Sequence, residues 1–209
     1  MPTTYTETPD NFNEIGTFVE KEINGIKKIF YLAQRVIFYD AYSFQRHSHL
    51  PDKEIKVLMN YYKIHGTVVF ITKCILMELA SDRHSLAEEY IAFIKKMAEA
   101  EIKVVIFNEE YTYDILLECF STNERINEYL SWAVRMVKSP VSTITETLKN
   151  DEKLTAEVLE GKNLRQSDIY RRFFATVREN KEHADNLGEE LIAICVHILS
   201  HLPGIVDGK

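Results

Sequence analysis

Glycine and proline are scarce in this chain, at 7 and 5 in 209 residues. That disfavours an all-β fold, which uses both in many tight turns. Cysteine is scarcer still. Cys74, Cys119 and Cys195 stand far apart, with no CxxC pair and no Cys/His zinc spacing. Each lies in an apolar stretch that reads as helical, so buried free thiols in a reducing compartment are expected. No apolar run approaches the ~20 residues of a membrane span. The opening MPTTYTETPD has neither the basic nor the apolar region of a secretory signal. The expectation is a cytoplasmic protein with no membrane contact. Internal repeats, low-complexity runs and glycine-rich phosphate loops are missing too: Gly161-Lys162 lacks the upstream glycine and the following Ser or Thr. Positive charge is in deficit, 25 Lys and Arg against 32 Asp and Glu, for a net charge of −7. This argues against a broad basic nucleic-acid footprint. It leaves room for a local one, because acids can gather round a metal while arginines line a rim.

What is there is an ordinary globular composition, 45% hydrophobic and 27% charged. Residues 12–32 carry apolar positions at near-helical spacing (Phe12, Ile15, Val19, Ile23, Ile26, Phe30), which predicts a leading amphipathic helix with Gly25 as its weak point. Three short apolar runs read as buried strands: 35–40, 67–71 and 102–107. Residues 41–50 read as a loop with some helical onset. Pro51, Asp52 and Glu54 start a helix to about Lys63. Thr72 caps a helix holding Ile75 to Leu79, Ser81 or Asp82 caps the next, to about Ala100, and Asn108 caps one over 109–120. Strands separated by helical crossovers predict an α/β fold, a three-layer sandwich with a mainly parallel sheet. Residues 121–182 hold no strand-like run and read as an all-helical insertion or cap within a single domain spanning 1–209. Ser121 and Glu124 have capping-box spacing at its start, and its helices are expected to Lys138, over 141–160 and over 167–180. A strongly apolar helix follows over 185–201, and Ile205-Val206 reads as the start of a further strand.

The first strand runs straight into an acid, in Val36-Ile37-Phe38-Tyr39-Asp40-Ala41-Tyr42-Ser43. In open α/β sheets ligands bind just beyond the carboxyl ends of the strands, so Asp40 stands where such folds keep their chemistry. Glu78 follows the second strand on an otherwise apolar helix, CILMELA. A carboxylate there is costly to bury unless something compensates it; the alternative is that it faces solvent. In HADNLGEELIAICVHIL, Asp185 and Glu189 are four apart and share a helix face. Acids in a first turn can also simply offset the helix dipole. Glu190 points about 100° away, toward solvent. Several carboxylates in one place are stable mainly around hard cations, Mg²⁺ or Mn²⁺. Such a site can activate water for displacement at a phosphodiester.

VIFYDAYSF, VVFITKCILMELA and GEELIAICVHIL together resemble the motifs of the PIN-domain ribonucleases. In that family a strand ends in Asp, a second strand leads into a helix bearing Glu, and a late helix opens with an acid before an apolar run. The resemblance covers about residues 35–108 and 183–206. It implies that Asp40, Glu78 and Glu189 are catalytic, that Asp185 joins them in holding Mg²⁺ or Mn²⁺, and that Ser43 supports the metal site from behind. A loop serine bonding its own backbone explains Ser43 about as well. Residues 109–182 are longer and more helical than in compact members. The family's last acid, after a final strand, has no counterpart before Lys209.

Arg46, Arg171 and Arg178 are candidates for phosphate contact, since guanidinium binds phosphate bidentately. Arg171 and Arg178 are seven apart on one helix face. Together with Arg165 and Arg172 they can equally be solvated partners of Glu179 and Glu182. His47-x-His49 reads as a solvated loop, with no third ligand in sight. The sequence therefore predicts a divalent-metal-dependent nuclease acting on RNA, single-stranded by preference. Its rival is a non-catalytic PIN-like module that binds RNA or protein, with the helical region as the surface for a partner or a second copy. A metal phosphohydrolase with a deep pocket for a small substrate is the third reading.

Overall fold

A computed structural model describes residues 5–138, 142–182 and 185–202. The chain divides into two compact units, essentially residues 3–108 and 109–208. The strand expected at 205–206, Pro140, and the Pro203-Gly204 stop lie outside the described residues.

The first unit is built on a four-stranded, all-parallel sheet in the order β1-β4-β3-β2. The strands are β1 (Val19–Glu20), β2 (Arg35–Phe38), β3 (Thr67–Thr72) and β4 (Val104–Phe107). Every residue of β3 and β4 is buried, the expected state of a parallel strand covered on both faces. That is why these strands read as unbroken apolar runs. The register sets Phe38 against Phe70 and Thr72 against Phe107. The rings of Phe38, Phe70 and Phe107 pack edge-on and tilted, 5.2–5.9 Å apart, a geometry favoured by the aromatic quadrupole.

The long leading helix does not form. The segment breaks into a 3₁₀ turn at Phe12–Glu14, the two-residue β1, and α1 (Ile23–Leu32). β1 gains its hydrogen bonds from β4, a tertiary partner that the local helical spacing could not reveal. Gly25 is a close approach and not a weak point: a Cβ there would stand 2.2 Å from the Glu20 carboxylate. That carboxylate accepts from the backbone N–H of Lys21 and of Glu22, closing the entry to α1.

The stretch expected as a loop after Asp40 is instead a helix, α2 (Ala41–Ser48), followed by α3 (Asp52–Ile64). Its sequence is polar, and only Phe44 and Ser48 are buried, so its periodic signal is weak. β3 leads into α4 (Lys73–Ala80), capped by Thr72, whose Oγ1 accepts from the Ile75 N–H at 3.3 Å. Neither Ser81 nor Asp82 caps the next helix. Both belong to a 3₁₀ turn, and α5 (Glu88–Glu99) begins after Ala87.

The second unit is helical throughout its described residues. It holds α6 (Tyr111–Leu116), α7 (Asn123–Val137), α8 (Thr143–Lys149), α9 (Glu152–Val158), α10 (Ile169–Glu179) and α11 (Leu187–Ser200). The helical region is wider than 121–182. It begins at Glu109 and takes in α11, which packs on α7, α6 and α8. Thr122, not Ser121, caps α7, and α6 starts past Asn108 with no side-chain cap.

Candidate active site

Asp40 stands two residues beyond β2 and is the N-cap of α2. Its two carboxylate oxygens have separate donors, both from Ser43. The backbone N–H donates to Oδ1 at 2.6 Å and the hydroxyl to Oδ2 at 2.9 Å. An N-cap acid satisfies an orphan helix N–H and is favoured by the positive end of the helix dipole. Ser43 therefore fixes the orientation of Asp40. In the neighbouring strand Thr72 makes the equivalent turn into α4, so two strand-to-helix turns open at the carboxyl edge of β2 and β3.

Glu78 lies on α4, which packs against α2 and against β3. Cys74, Ile75, Leu76, Met77, Leu79 and Ala80 are all buried. Glu78 is half-buried, and its Oε1 is shut off from solvent.

Next to Asp40 is a hydrogen-bonded chain that sequence reasoning missed. The Tyr39 hydroxyl lies 2.7 Å from His47 Nδ1 and 2.6 Å from the Tyr62 hydroxyl. Burial, then the Tyr62 hydroxyl, pushes the Tyr39 phenol far above its usual range. His47 is pulled below the usual imidazole value by burial and by Arg46, against the opposing pull of Asp40. His47 is thus not in a solvated loop, whereas His49 is exposed in the turn after α2. His47 is half-buried on α2 and bonded to Tyr39, while His49 faces Glu89 at 3.4 Å. The available signal was His47 falling seven residues after Asp40, two turns on along the same face of α2. Arg46 is exposed in the last turn of α2.

No protein-family model, curated protein or solved structure matches this chain. The site is therefore read from its own residues.

The remaining candidates belong to the second unit. Asp185 precedes α11 and does not share a helix face with Glu189. Its carboxylate is ion-paired with the buried Lys181 and accepts from the backbone N–H of Glu182 and Leu187. Glu189 is exposed and Glu190 half-buried, the reverse of the expected orientation. Glu190 accepts from the Ile144 N–H at 3.5 Å, and burial raises its carboxyl above the usual range. Glu190 stands three residues after Leu187 and four before Ile194, both buried, and so lies on the packed face of α11.

The arginines separate as well. Arg171 is exposed. Arg178 is 3% exposed and bonded to Glu109 at 2.9 Å and Glu110 at 2.7 Å. Arg172 pairs with Glu157 and Asp168, and Arg165 with Glu124. Their partners are other acids of the helical unit, from Asp168 one turn away to Glu109 far along the chain, not Glu179 and Glu182. Among the described residues, neither unit gathers three His, Cys, Asp or Glu side chains into a group that could hold a metal. No helix among them is long and apolar enough to cross a membrane.

Proposed function

We propose that this chain is a PIN-like nuclease, cytoplasmic and divalent-cation-dependent, that hydrolyses RNA with Asp40 and Glu78 as its principal acids. The observation that carries the reading is the placement of Asp40. It lies at the carboxyl edge of a parallel sheet. Two bonds from Ser43 orient it, and the neighbouring strand feeds the helix that bears Glu78. Magnesium suits this donor set, because it keeps several waters and is usually bound through one or two carboxylates plus substrate phosphate. When bound, the cation would supply a water of lowered pKa and stabilise charge developing on the phosphodiester. Asp40 and Glu78 would hold it, and Ser43 would keep Asp40 aimed. Arg46, exposed in the last turn of α2, would meet phosphate.

The second reading is a non-catalytic module that binds RNA or a protein through its helical unit. It is favoured by the engagement of Asp185 with Lys181 and of Arg178 with Glu109 and Glu110. Residues expected to face metal and substrate serve internal ion pairs there.

Mn²⁺ titration by calorimetry separates the two. Wild type should bind, while Asp40→Asn and Glu78→Gln should lose most of the heat. Asn also caps helices, so the first variant should stay folded by circular dichroism. Cleavage of single-stranded RNA by wild type alone would complete the case. Absence of Mn²⁺ binding at millimolar metal would remove the nuclease reading and leave the binding module.

A further inference from the structure

The helical unit holds a groove of about 500 Å³ against α7, lined by Arg125, Tyr129, Ser131, Trp132, Arg135 and Leu164, with Glu128 at its side. This is within the ~300–1,000 Å³ range of small-ligand sites. In a chain of net charge −7 the lining is locally cationic, two arginines against one acid. Arg125 and Glu128 pair with each other at 2.7 Å. Arg135 donates through Nε to the Ser131 carbonyl at 3.2 Å and is exposed. Its terminal nitrogens have no acid partner among the described residues.

Two aromatic rings complete the lining. Trp132 is 39% exposed although the His197 and His201 rings pack against it at 4.3 and 4.7 Å. Such support fixes the indole plane. The Arg125 guanidinium lies over the Tyr129 ring at 5.7 Å, a cation–π contact that holds that ring in turn. A further observation points to a ligand. Ser131 is 2% exposed, and its hydroxyl is buried with no hydrogen-bond partner. Buried hydroxyls in folded proteins are nearly always satisfied, and this one belongs to a residue that lines the groove.

We propose that this groove binds a nucleotide unit. The base lies on Trp132 and Tyr129, the phosphate meets Arg135, and a ribose or base polar group satisfies Ser131. Rigid aromatic platforms beside an arginine are the chemistry by which single-stranded nucleic acid is held without sequence preference. Neither Asp40 nor Glu78 is among the residues that line it.

Trp132 is the single tryptophan of the chain, so indole fluorescence excited at the red edge reports on this groove alone. Full-length protein would be titrated separately with uridine monophosphate and with fluorescein-labelled oligouridylate, the second read by anisotropy. Saturable binding is expected, weakened about tenfold or more by Arg135→Glu and by Trp132→Leu. Arg135 is exposed, so its variant should fold normally. Titrations in excess EDTA silence the proposed cation site, and binding should persist there, which keeps this result distinct from the fate of the nuclease reading. Binding of oligouridylate alone assigns the groove to an RNA strand; binding of the mononucleotide as well assigns it to the free nucleotide. No saturable signal from either up to millimolar ligand would overturn the proposal. So would binding that Arg135→Glu leaves unchanged.

Discussion

The two units of this chain handle charge in opposite ways. In the sheet unit the buried polar side chains are Ser48, Thr67 and Thr72, and the described acids lie at least partly exposed at its edges. In the helical unit Glu109, Glu157, Arg178 and Lys181 are buried, each in an ion pair. A parallel sheet satisfies its backbone internally and asks only for apolar side chains on both faces. Short helices of differing direction leave gaps at their ends, and there a long charged side chain can reach a partner. The first arrangement tolerates change of charge at its rim. The second makes the fold depend on particular pairs, because an abandoned buried charge is costly while an intact pair contributes little beyond its neutral isostere.

The sharpest way to break this comparison is Arg178→Ala. It leaves Glu109 buried with its guanidinium partner gone, and should destabilise the helical unit by roughly 3–5 kcal/mol. The loss is to be read as collapsed hydrogen-exchange protection across α6–α11 with β3 and β4 still protected. Equal loss in both units would show that they do not respond separately. Combining Arg178→Met with Glu109→Leu should restore most of the stability; failure to do so would mean that the pair itself stabilises and not merely avoids a penalty.

A smaller effect is expected from Thr72→Ala in the sheet unit. Removing the cap of α4 should cost about 1 kcal/mol in urea denaturation, and Thr72→Ser should recover much of it.

The smallest change concerns Glu190. Its folded pKa is raised, first by burial. The group therefore contributes stability at pH below the usual glutamate value, and that contribution is lost as pH rises through the raised value. Glu190→Gln should be slightly more stable than wild type at neutral pH, with the difference vanishing under mild acid. A difference that grows on acidification would contradict the assignment.

Much of the sheet unit was legible because burial on both faces writes itself into sequence. The runs at 35–40, 67–71 and 102–107 correspond to β2, β3 and β4. Asp40 was likewise visible, since a strand ending in an acid is a local event. What was hidden depended on partners far along the chain. β1 is two residues long and exists only through its pairing with β4. α2 buries too few residues to announce itself. A charged residue on a helix reads as solvent-facing, so nothing local marked Arg178 as buried against Glu109. The orientation of Glu189 and Glu190 hung on which face of α11 is packed, and neighbouring positions point ~100° apart, so Glu190, in step with Leu187 and Ile194, turned inward.

The parallel pairing of Val19 with Val104 also sets an order in time. As the chain emerges from its N-terminus, β1 waits for almost the whole unit before its partner β4 exists, and until then β3 presents one unpaired edge. Unpaired edges invite association with other chains, and pairings of such long separation are slow to close. Fragments ending before β4 should therefore aggregate. Those ending just after Phe107 are the shortest that carry every strand of the sheet.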